Sequence, residues 1–176
     1  MMIAVTTAHT ADLPAATLTR ARALLFEVFD DMTDEDWAHA LGGIHALAWD
    51  GEELIGHASV IQRRLLHQGW ALRTGYVEGV AVRRDRHRRG HGRALMAALD
   101  HYLAAYDLSA LGASDEAAAF YPALGWQVWR GPLSALTPAG IVPTPDEQGG
   151  VLVRPGAVAL DLDAELTCDW RDGDVW

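Results

Sequence analysis

The stretch from Gly75 to Leu103 constrains the fold of this chain more than any other part of its sequence. An extended, β-prone segment from Tyr76 to Val82 leads into an arginine-rich turn, and apolar residues recur at helical spacing after Gly92. A strand end followed by a glycine-bearing loop and a helix N-terminus leaves backbone N–H groups unpaired, which suits phosphate oxygens. The sequence therefore predicts a strand, an anion-binding loop and a helix.

The length and composition predict one domain, residues 1–176, because 176 residues that are 50% apolar suffice for one core and not for two ordinary ones. No window holds the roughly 18 uninterrupted apolar residues of a spanning helix, and the N-terminus lacks the regions of a secretory signal. We therefore expect a cytoplasmic protein with no membrane partner. The single cysteine, Cys168, permits neither an internal disulfide nor a cysteine-based metal cluster.

Charge is distributed unevenly along the chain. The net charge of −10 argues against a general nucleic-acid binder, which needs a broad basic surface. Acidic residues gather from Glu27 to Asp36 and from Asp146 to the end of the sequence. Six of the fourteen basic residues share the loop, namely Arg83, Arg84, Arg86, Arg88, Arg89 and Arg93. This pattern predicts an anionic partner at the loop and a cationic partner elsewhere.

Periodicity and turn signals in the rest of the chain predict a mixed α/β fold. Asp50-Gly51 indicates a hairpin, and the helix after Gly92 would carry the chain across to a parallel strand, so the sheet is expected to be mixed. The predicted helices besides that one are Ala15–Phe29 and Ala117–Leu124. The predicted strands are Ile3–Thr7, Ile44–Trp49, Leu54–Leu66, Trp70–Val82, Leu108–Leu111, Trp126–Trp129 and Val151–Leu162.

Three other segments carry specific expectations. Thr33 and Asp36 have the spacing of a capping box, and on local sequence alone this cap is the favoured interpretation of the acids around them. The proline-rich passage Pro132–Gly150 is predicted to be a long loop with a functional role or high mobility. The tail Asp161–Trp176 is expected to be docked, because two tryptophans are unusual in a disordered end.

Two spaced motifs resemble those of the GCN5-related N-acetyltransferases. His87, Gly90 and Gly92 follow that family's Arg/Gln-x-x-Gly-x-Gly/Ala signature, with histidine in the first position. The segment Phe120–Trp126 is similar to the family's F-Y-x-x-x-G-aromatic segment and follows at the matching place in the element order. The resemblance implies an α/β (α+β) fold with a mixed, mostly antiparallel sheet, flanked by helices and with splayed central strands.

The same resemblance implies acetyl-CoA as cosubstrate. Val80 to Val82 would pair with the pantetheine arm as an added strand does, and His87 to Gly92 would hold the pyrophosphate. The implied cofactor-binding residues are Val80, Ala81, Val82, His87, Arg88, Arg89, Gly90, His91 and Gly92.

Four segments extend the likeness over essentially the whole chain. Leu41–Leu47, His57–Leu65, Gly75–Val82 and Cys168–Trp176 look like the aminoglycoside 2'-N-acetyltransferases of mycobacteria and their relatives. This likeness implies direct acetyl transfer to the 2'-amino group of an aminoglycoside in a ternary complex, an antibiotic-resistance activity, and a homodimer.

Acetyl transfer from a thioester to an amine needs a neutral amine, aligned reactants, a stabilised oxyanion and a proton for the leaving thiolate. Glu78 lies just before the cofactor segment, so it is a candidate base acting through water or, equally, a carboxylate that anchors the substrate. Tyr121 is the candidate acid, since a phenol of pKa ~10 can protonate a thiolate. The resemblance implies that the Val80 N–H stabilises the oxyanion. Cys168 has no nearby His/Asp setting, which argues against a covalent intermediate.

Substrate binding should fall to carboxylates, because an aminoglycoside is a polycation. By resemblance, the residues that line the substrate site are Asp31, Asp36, Glu78, Gly79, Gly112, Asp146, Glu147, Asp174 and Trp176. Taken singly, an exposed acid more often only faces water. The eight histidines show no ligand spacing, and we expect no metal.

Two alternatives remain open. The chain could acetylate another cellular amine, with drug acetylation incidental, since an acidic site alone does not define the amine. It could instead be a non-catalytic module that binds nucleotide or nucleic acid through the arginine loop. Net acidity and the small size of the basic patch argue against this second alternative.

Overall fold

The computed structural model describes residues 3–176, which divide into two compact units. Residues 3–61 and 77–103 form unit 1, and residues 62–76 and 104–176 form unit 2. Two long strands contribute to both units, β3 (Glu53–His67) and β4 (Trp70–Val82). Among the described residues, no helix is long and apolar enough to cross a membrane.

Unit 1 holds two further strands and three helices. They are β1 (Ala4–His9), α1 (Ala15–Val28), α2 (Asp34–His39), β2 (Ile44–Asp50) and α3 (His91–Leu103). Strand β2 pairs antiparallel with both β1 and β3, and the β2–β3 turn falls at the predicted Asp50-Gly51, where Gly51 has φ +62°. The predicted hairpin is therefore confirmed.

The core of unit 1 follows from the apolar faces of these elements. Ala21 and Leu24 of α1 pack with Leu47 of β2 and Leu54 of β3, and Trp37 and other partly buried side chains border this cluster. Helix α2 begins where the capping box was predicted, because Thr33 and Asp36 make both of its reciprocal bonds.

Unit 2 is a larger sheet. Its remaining strands are β5 (Leu108–Gly112), β6 (Gln127–Val128), β7 (Leu133–Thr137), β8 (Gly140–Pro143), β9 (Val151–Pro155) and β10 (Leu166–Cys168). They are ordered β6-β9-β5-β4-β3-β10-β7-β8. Pairing is antiparallel for β5–β9, β6–β9, β7–β8 and β10–β3, and it is parallel for β10–β7, so the sheet is mixed as predicted.

Three predicted elements of unit 2 were wrong. The passage 132–150 is not a plain loop, because it contains the β7–β8 hairpin with Pro138 in its turn. The predicted helix Ala117–Leu124 is two short 3₁₀ turns, since Pro122 lacks the N–H that a continuous helix requires. The predicted strand Val151–Leu162 stops at Pro155.

Candidate active site

Glu78 and Gly79 occupy a backbone irregularity near the end of β4, in unit 1. Gly79 has φ +57°, and a Cβ at this position would lie 3.1 Å from Leu25 Cδ1 and 3.3 Å from His57 Cε1. Both the left-handed backbone and the close neighbours therefore require glycine. The Glu78 carbonyl accepts a long bond from Ser59 Oγ at 3.5 Å, and the Glu78 side chain is half-buried.

The Gly79 carbonyl accepts a hydrogen bond from His57 Nδ1 at 2.8 Å. His57 is completely buried, and a chain of hydrogen bonds continues from it through His45 to Thr10. Sequence reasoning did not identify these two histidines. The available signal was a histidine within each of two apolar strands, where a buried polar ring needs partners.

The first acidic segment lies at α2 of unit 1. Asp36 Oδ2 accepts bonds from the Thr33 N–H at 2.9 Å and from Thr33 Oγ1 at 2.8 Å, so this carboxylate is engaged in the cap. Asp31 is exposed. Trp37 brings α2 close to the strand irregularity, because its ring lies 6.2 Å from the ring of His57.

The predicted cofactor segment runs from β4 into the loop before α3. Val80 and Val82 are half-buried and Ala81 is buried. His87 Nε2 donates to the Val82 carbonyl at 2.7 Å, so the histidine at the first motif position ties the loop back to the strand. Its neighbours Arg88, Arg89 and His91 complete the segment, with Arg88 and Arg89 exposed.

The loop has the geometry of an anion-binding turn. Arg88 has φ +59° and Gly90 has φ +83°, which turns successive N–H groups toward one side. The first backbone bond of α3 runs from the Ala94 N–H to the Gly90 carbonyl, so the N–H groups of His91 and Gly92 precede the helical ladder. These features fit the phosphates of a coenzyme A ester.

The basic charge of the loop is smaller than the sequence suggests. Arg83 pairs with Glu53 and Asp85, Arg84 with Asp30, and Arg86 with Asp50. Within residues 3–176, the exposed side chains of Arg88, Arg89 and Arg93 form no ion pair. These three arginines are the ones that remain available to an anion.

Tyr121, the candidate acid, lies in unit 2 at the start of the second 3₁₀ turn. It is buried against Phe120 and Trp126, with ring centroids 5.0 and 6.2 Å away. Burial raises the pKa of Tyr121 to about 12. The phenol therefore stays protonated at any physiological pH.

The second acidic segment lies with the chain's last residues in unit 2. Trp176 is buried, and its Nε1 donates to Thr144 Oγ1 at 2.8 Å. A Cβ on Gly112 would lie 3.4 Å from the Trp176 carbonyl carbon, so these two predicted site residues are adjacent. The Trp176 N–H donates to Asp174 Oδ1 at 3.1 Å. The predicted docking of the tail is confirmed.

Glu147 belongs to the same group of residues. Its pKa is raised by burial and by the neighbouring charges of Asp174 and Asp146. Unit 2 thus brings together Gly112, Asp146, Glu147, Asp174 and Trp176. Such a concentration of negative charge favours cations.

Arg63 holds the tail from β3, and sequence reasoning did not identify it. Its side chain is 3% exposed and pairs with Asp169 at 2.7 Å. Its Nη2 donates to the Val175 carbonyl at 2.7 Å, and its guanidinium lies 4.6 Å above the Tyr76 ring. Asp169, which forms the ion pair with Arg63, lies more than 100 residues away along the chain, so no local sequence pattern reveals the pair.

Cys168 is buried in β10, and burial raises the pKa of its thiol to about 11. A thiol of that pKa is almost entirely protonated at neutral pH and is a poor nucleophile. This supports the expectation that Cys168 carries no acetyl group. Within residues 3–176, no group of His, Cys, Asp and Glu side chains is arranged to hold a metal ion.

A strand with a glycine irregularity, an anion-binding loop and the N-terminus of the following helix define a coenzyme A-dependent acyltransferase. The comparison with known families agrees, because residues 10–126 match the acetyltransferase (GNAT) family. The chain belongs to this family. Members of the family take an acetyl group from acetyl-CoA, and the residues of the loop described above fit that cosubstrate.

The relatives of the chain include a protein close to it in sequence and solved structures that share its fold at low sequence identity. The chain is 49% identical, over 174 residues, to an aminoglycoside 2'-N-acetyltransferase of Mycolicibacterium fortuitum, covering 96% of this chain and 89% of that protein. Solved structures with the same fold include Escherichia coli ElaA, at 18% identity and TM-score 0.60, covering 87% of this chain and 99% of that one. An acyl-CoA N-acyltransferase from Pseudomonas aeruginosa has 18% identity, the same coverage and TM-score 0.61.

Proposed function

We propose that this protein transfers the acetyl group of acetyl-CoA to the 2'-amino group of aminoglycosides, directly and in a ternary complex. The observation that carries the proposal is the 49% identity to an aminoglycoside 2'-N-acetyltransferase over 96% of the chain. The acidic groups of the site support a polycationic substrate, because each ammonium group needs a carboxylate or carbonyl partner.

Glu78 and Tyr121 take the chemical roles in this proposal. Glu78 removes a proton from the amine through water or anchors the amine, and its half-buried position suits both roles. The Val80 N–H donates a hydrogen bond to the developing oxyanion. Tyr121 returns a proton to the thiolate, and its buried phenol holds that proton until it is needed.

The acids of each unit bind ammonium groups of the substrate. Asp31, Asp36, Glu78 and the Gly79 carbonyl serve in unit 1, although Asp36 and Gly79 each already accept an internal hydrogen bond. In unit 2 the binding groups are Gly112, Asp146, Glu147, Asp174 and Trp176. The cofactor residues are Val80 to Val82 and His87 to Gly92.

We also propose a cytoplasmic homodimer that confers aminoglycoside resistance. In this proposal the chain acts as one domain. Its ligands are acetyl-CoA and the aminoglycoside, and it uses neither nucleic acid nor a metal.

The decisive experiment compares two substrates that differ at one position. Kanamycin B, which like tobramycin carries a 2'-amino group, differs from kanamycin A only in that kanamycin A has a hydroxyl there, so thiol release from acetyl-CoA should be at least about tenfold faster with kanamycin B at equal concentration. Product NMR should place the new acetyl group on the 2' nitrogen. Intact coenzyme A binding without acetylation of any aminoglycoside would instead favour another cellular amine.

A further inference from the structure

We propose that His57, His45 and Thr10 form a positioning relay that holds the Gly79 carbonyl and thereby orients Glu78 and the Val80 N–H for acetyl transfer. This inference rests on the proposed function, because Glu78 and Val80 act there on the amine and on the oxyanion. All the residues of the relay lie in unit 1.

The relay is a continuous chain of short hydrogen bonds. His57 Nδ1 lies 2.8 Å from the Gly79 carbonyl oxygen, and His57 Nε2 lies 2.9 Å from His45 Nδ1. His45 Nε2 lies 2.7 Å from Thr10 Oγ1, which accepts the Gly42 N–H at 2.9 Å. Both rings are 0% exposed, so the bond between them lies away from water.

The direction of every bond in this chain follows from its ends. A carbonyl oxygen only accepts, so His57 Nδ1 must carry the proton that it donates to Gly79. In a neutral ring Nε2 is then an acceptor, and it takes the Nδ1–H of His45. His45 Nε2 accepts in turn from the Thr10 hydroxyl at 2.7 Å, which takes precedence over the longer contact of 3.3 Å from that hydroxyl to the Gly43 carbonyl. The chain therefore selects the Nδ1–H tautomer of both histidines.

Both rings remain neutral in the folded protein. The pKa of His57 and of His45 is lowered to about 4, chiefly by burial, and the neighbouring charge of His9 contributes to the lowering at His45. Because a charged His57 would carry protons on both nitrogens, it would place two donors against each other between His57 and His45. Neutrality thus preserves the order of the bonds.

The relay acts by position, since it ends on a carbonyl that has no proton to pass on. His57 and Leu25 both lie against the α-carbon of Gly79, and the Ser59 hydroxyl reaches the Glu78 carbonyl. Residues of β3 therefore hold both the Glu78 carbonyl and the Gly79 carbonyl by hydrogen bonds. Peptide planes are rigid, so holding these carbonyls fixes the direction of the Val80 N–H and the position of the Glu78 α-carbon, from which the carboxylate side chain extends.

The kinetic test uses His57→Phe, which keeps a ring and removes both hydrogen bonds, and His57→Asn, which keeps a donor near the position of Nδ1. We expect kcat with tobramycin to fall about tenfold or more in His57→Phe and to recover largely in His57→Asn. The KM for acetyl-CoA should change less than about threefold, because its phosphate loop is untouched. Equal kcat in wild type and His57→Phe would overturn the proposal.

His67→Phe is the matched control. His67 is also buried in β3, and its ring lies between the Glu165 carbonyl and the Asp161 N–H at 3.2 and 3.3 Å, in unit 2. This variant should lower the denaturation midpoint with kcat unchanged. An equal drop in kcat for both variants would mean that loss of any buried histidine impairs the enzyme, and would also overturn the positioning role.

A second measurement uses the wild-type protein and does not depend on activity. Long-range ¹H–¹⁵N spectra at pH 7 should show His57 and His45 as neutral Nδ1–H tautomers, and a protonated ring or an Nε2–H tautomer at either residue would refute the relay. If the wild type acetylated no aminoglycoside, the proposed function would fail while these spectra still decided whether the relay exists.

Discussion

Burial sets the chemical character of Tyr121, the candidate acid. The pKa of its phenol is about 12, whereas a thiol has an ordinary pKa of ~8.5, so donation is uphill by roughly 3.5 pH units, or about 5 kcal/mol, before the complex forms. Because bound substrates also exclude water around the leaving thiolate, we expect the pKa of the thiol to rise in the complex and the gap to narrow. The same burial keeps the acid protonated.

Tyr121→Phe tests this role at the scale of one atom. Among residues 3–176 no group hydrogen-bonds the phenol oxygen, so its removal should change stability little. We expect kcat with tobramycin to fall about 100-fold while the dissociation constant of tobramycin stays within about threefold. Tyr106→Phe, a half-buried tyrosine in the same unit, is the control. Lost affinity with unchanged kcat would contradict the assignment.

The paired strands β2 and β3 carry a pH dependence of stability through His45 and His57. Their pKa of about 4 in the folded state lies below the ordinary value near 6.5, so the unfolded chain binds more protons between these limits. The resulting contribution to the free energy of unfolding is complete above pH 6.5 and is lost as pH falls toward 4. Urea titrations at pH 7, 6, 5 and 4.5 should therefore show a falling free energy of unfolding.

The pKa values of Asp85, Asp107 and Asp163 are lowered by their partners, so these three carboxylates change stability at pH values below those at which the histidines act. Glu147, with its raised pKa, acts in the opposite sense. His45→Phe should flatten the slope between pH 6.5 and 4.5. A free energy of unfolding that increased on acidification would contradict neutral buried histidines.

Arg63 anchors the tail to β3, and its loss should release the last residues of the chain. In Arg63→Met we expect the free energy of unfolding to fall by about 2–4 kcal/mol, since Asp169 and the Val175 carbonyl lose a buried donor. Hydrogen exchange of residues 169–176 should become faster. Arg130→Met is the control, because both members of its ion pair with Asp163 are exposed and it should cost less than about 1 kcal/mol.

The elements that sequence alone predicted are those whose signals are local. Glycine turns and apolar periodicity gave the β2–β3 hairpin and α3 within a few residues of their observed bounds, and the capping box gave the start of α2. The β7–β8 hairpin was missed because its prolines were interpreted as loop residues, although Pro138 occupies the turn and Pro143 the edge. Strand β10 exists through pairing with β3 and β7, which a single sequence does not show.

The residues of the candidate site also divide into those with a local sequence signal and those without one. Glu78, Gly79 and the loop from His87 to Gly92 follow from motifs in one continuous stretch, so they could be predicted. His57 and Arg63 could not, because their roles depend on partners brought together by folding, a carbonyl 22 residues away for His57 and a carboxylate 106 residues away for Arg63. A buried polar side chain is informative only when its partner is known.

At the scale of the whole molecule, net charge favours a cationic substrate over an anionic one. The net charge is −10, and internal ion pairs neutralise three arginines of the phosphate loop. Acetyl-CoA must therefore be bound by local N–H groups and by a few free arginines, against a repulsive field. A polycation is attracted by the same field over a distance of about 10 Å at 0.1 M salt.

This asymmetry predicts a strong salt dependence for the aminoglycoside and a weak one for acetyl-CoA. Raising KCl from 20 to 300 mM at saturating acetyl-CoA should lower kcat/KM for tobramycin by about tenfold or more, because screening weakens attraction between the acids and several ammonium groups. The KM for acetyl-CoA should change by less than about threefold, since screening weakens the repulsive field as well as the local attraction. Asp174→Asn keeps an acceptor for the Trp176 N–H, removes one charge and should reduce the salt dependence for tobramycin. A kcat/KM for tobramycin that stays constant across this range would show that the acids bind no ammonium group in the rate-determining complex.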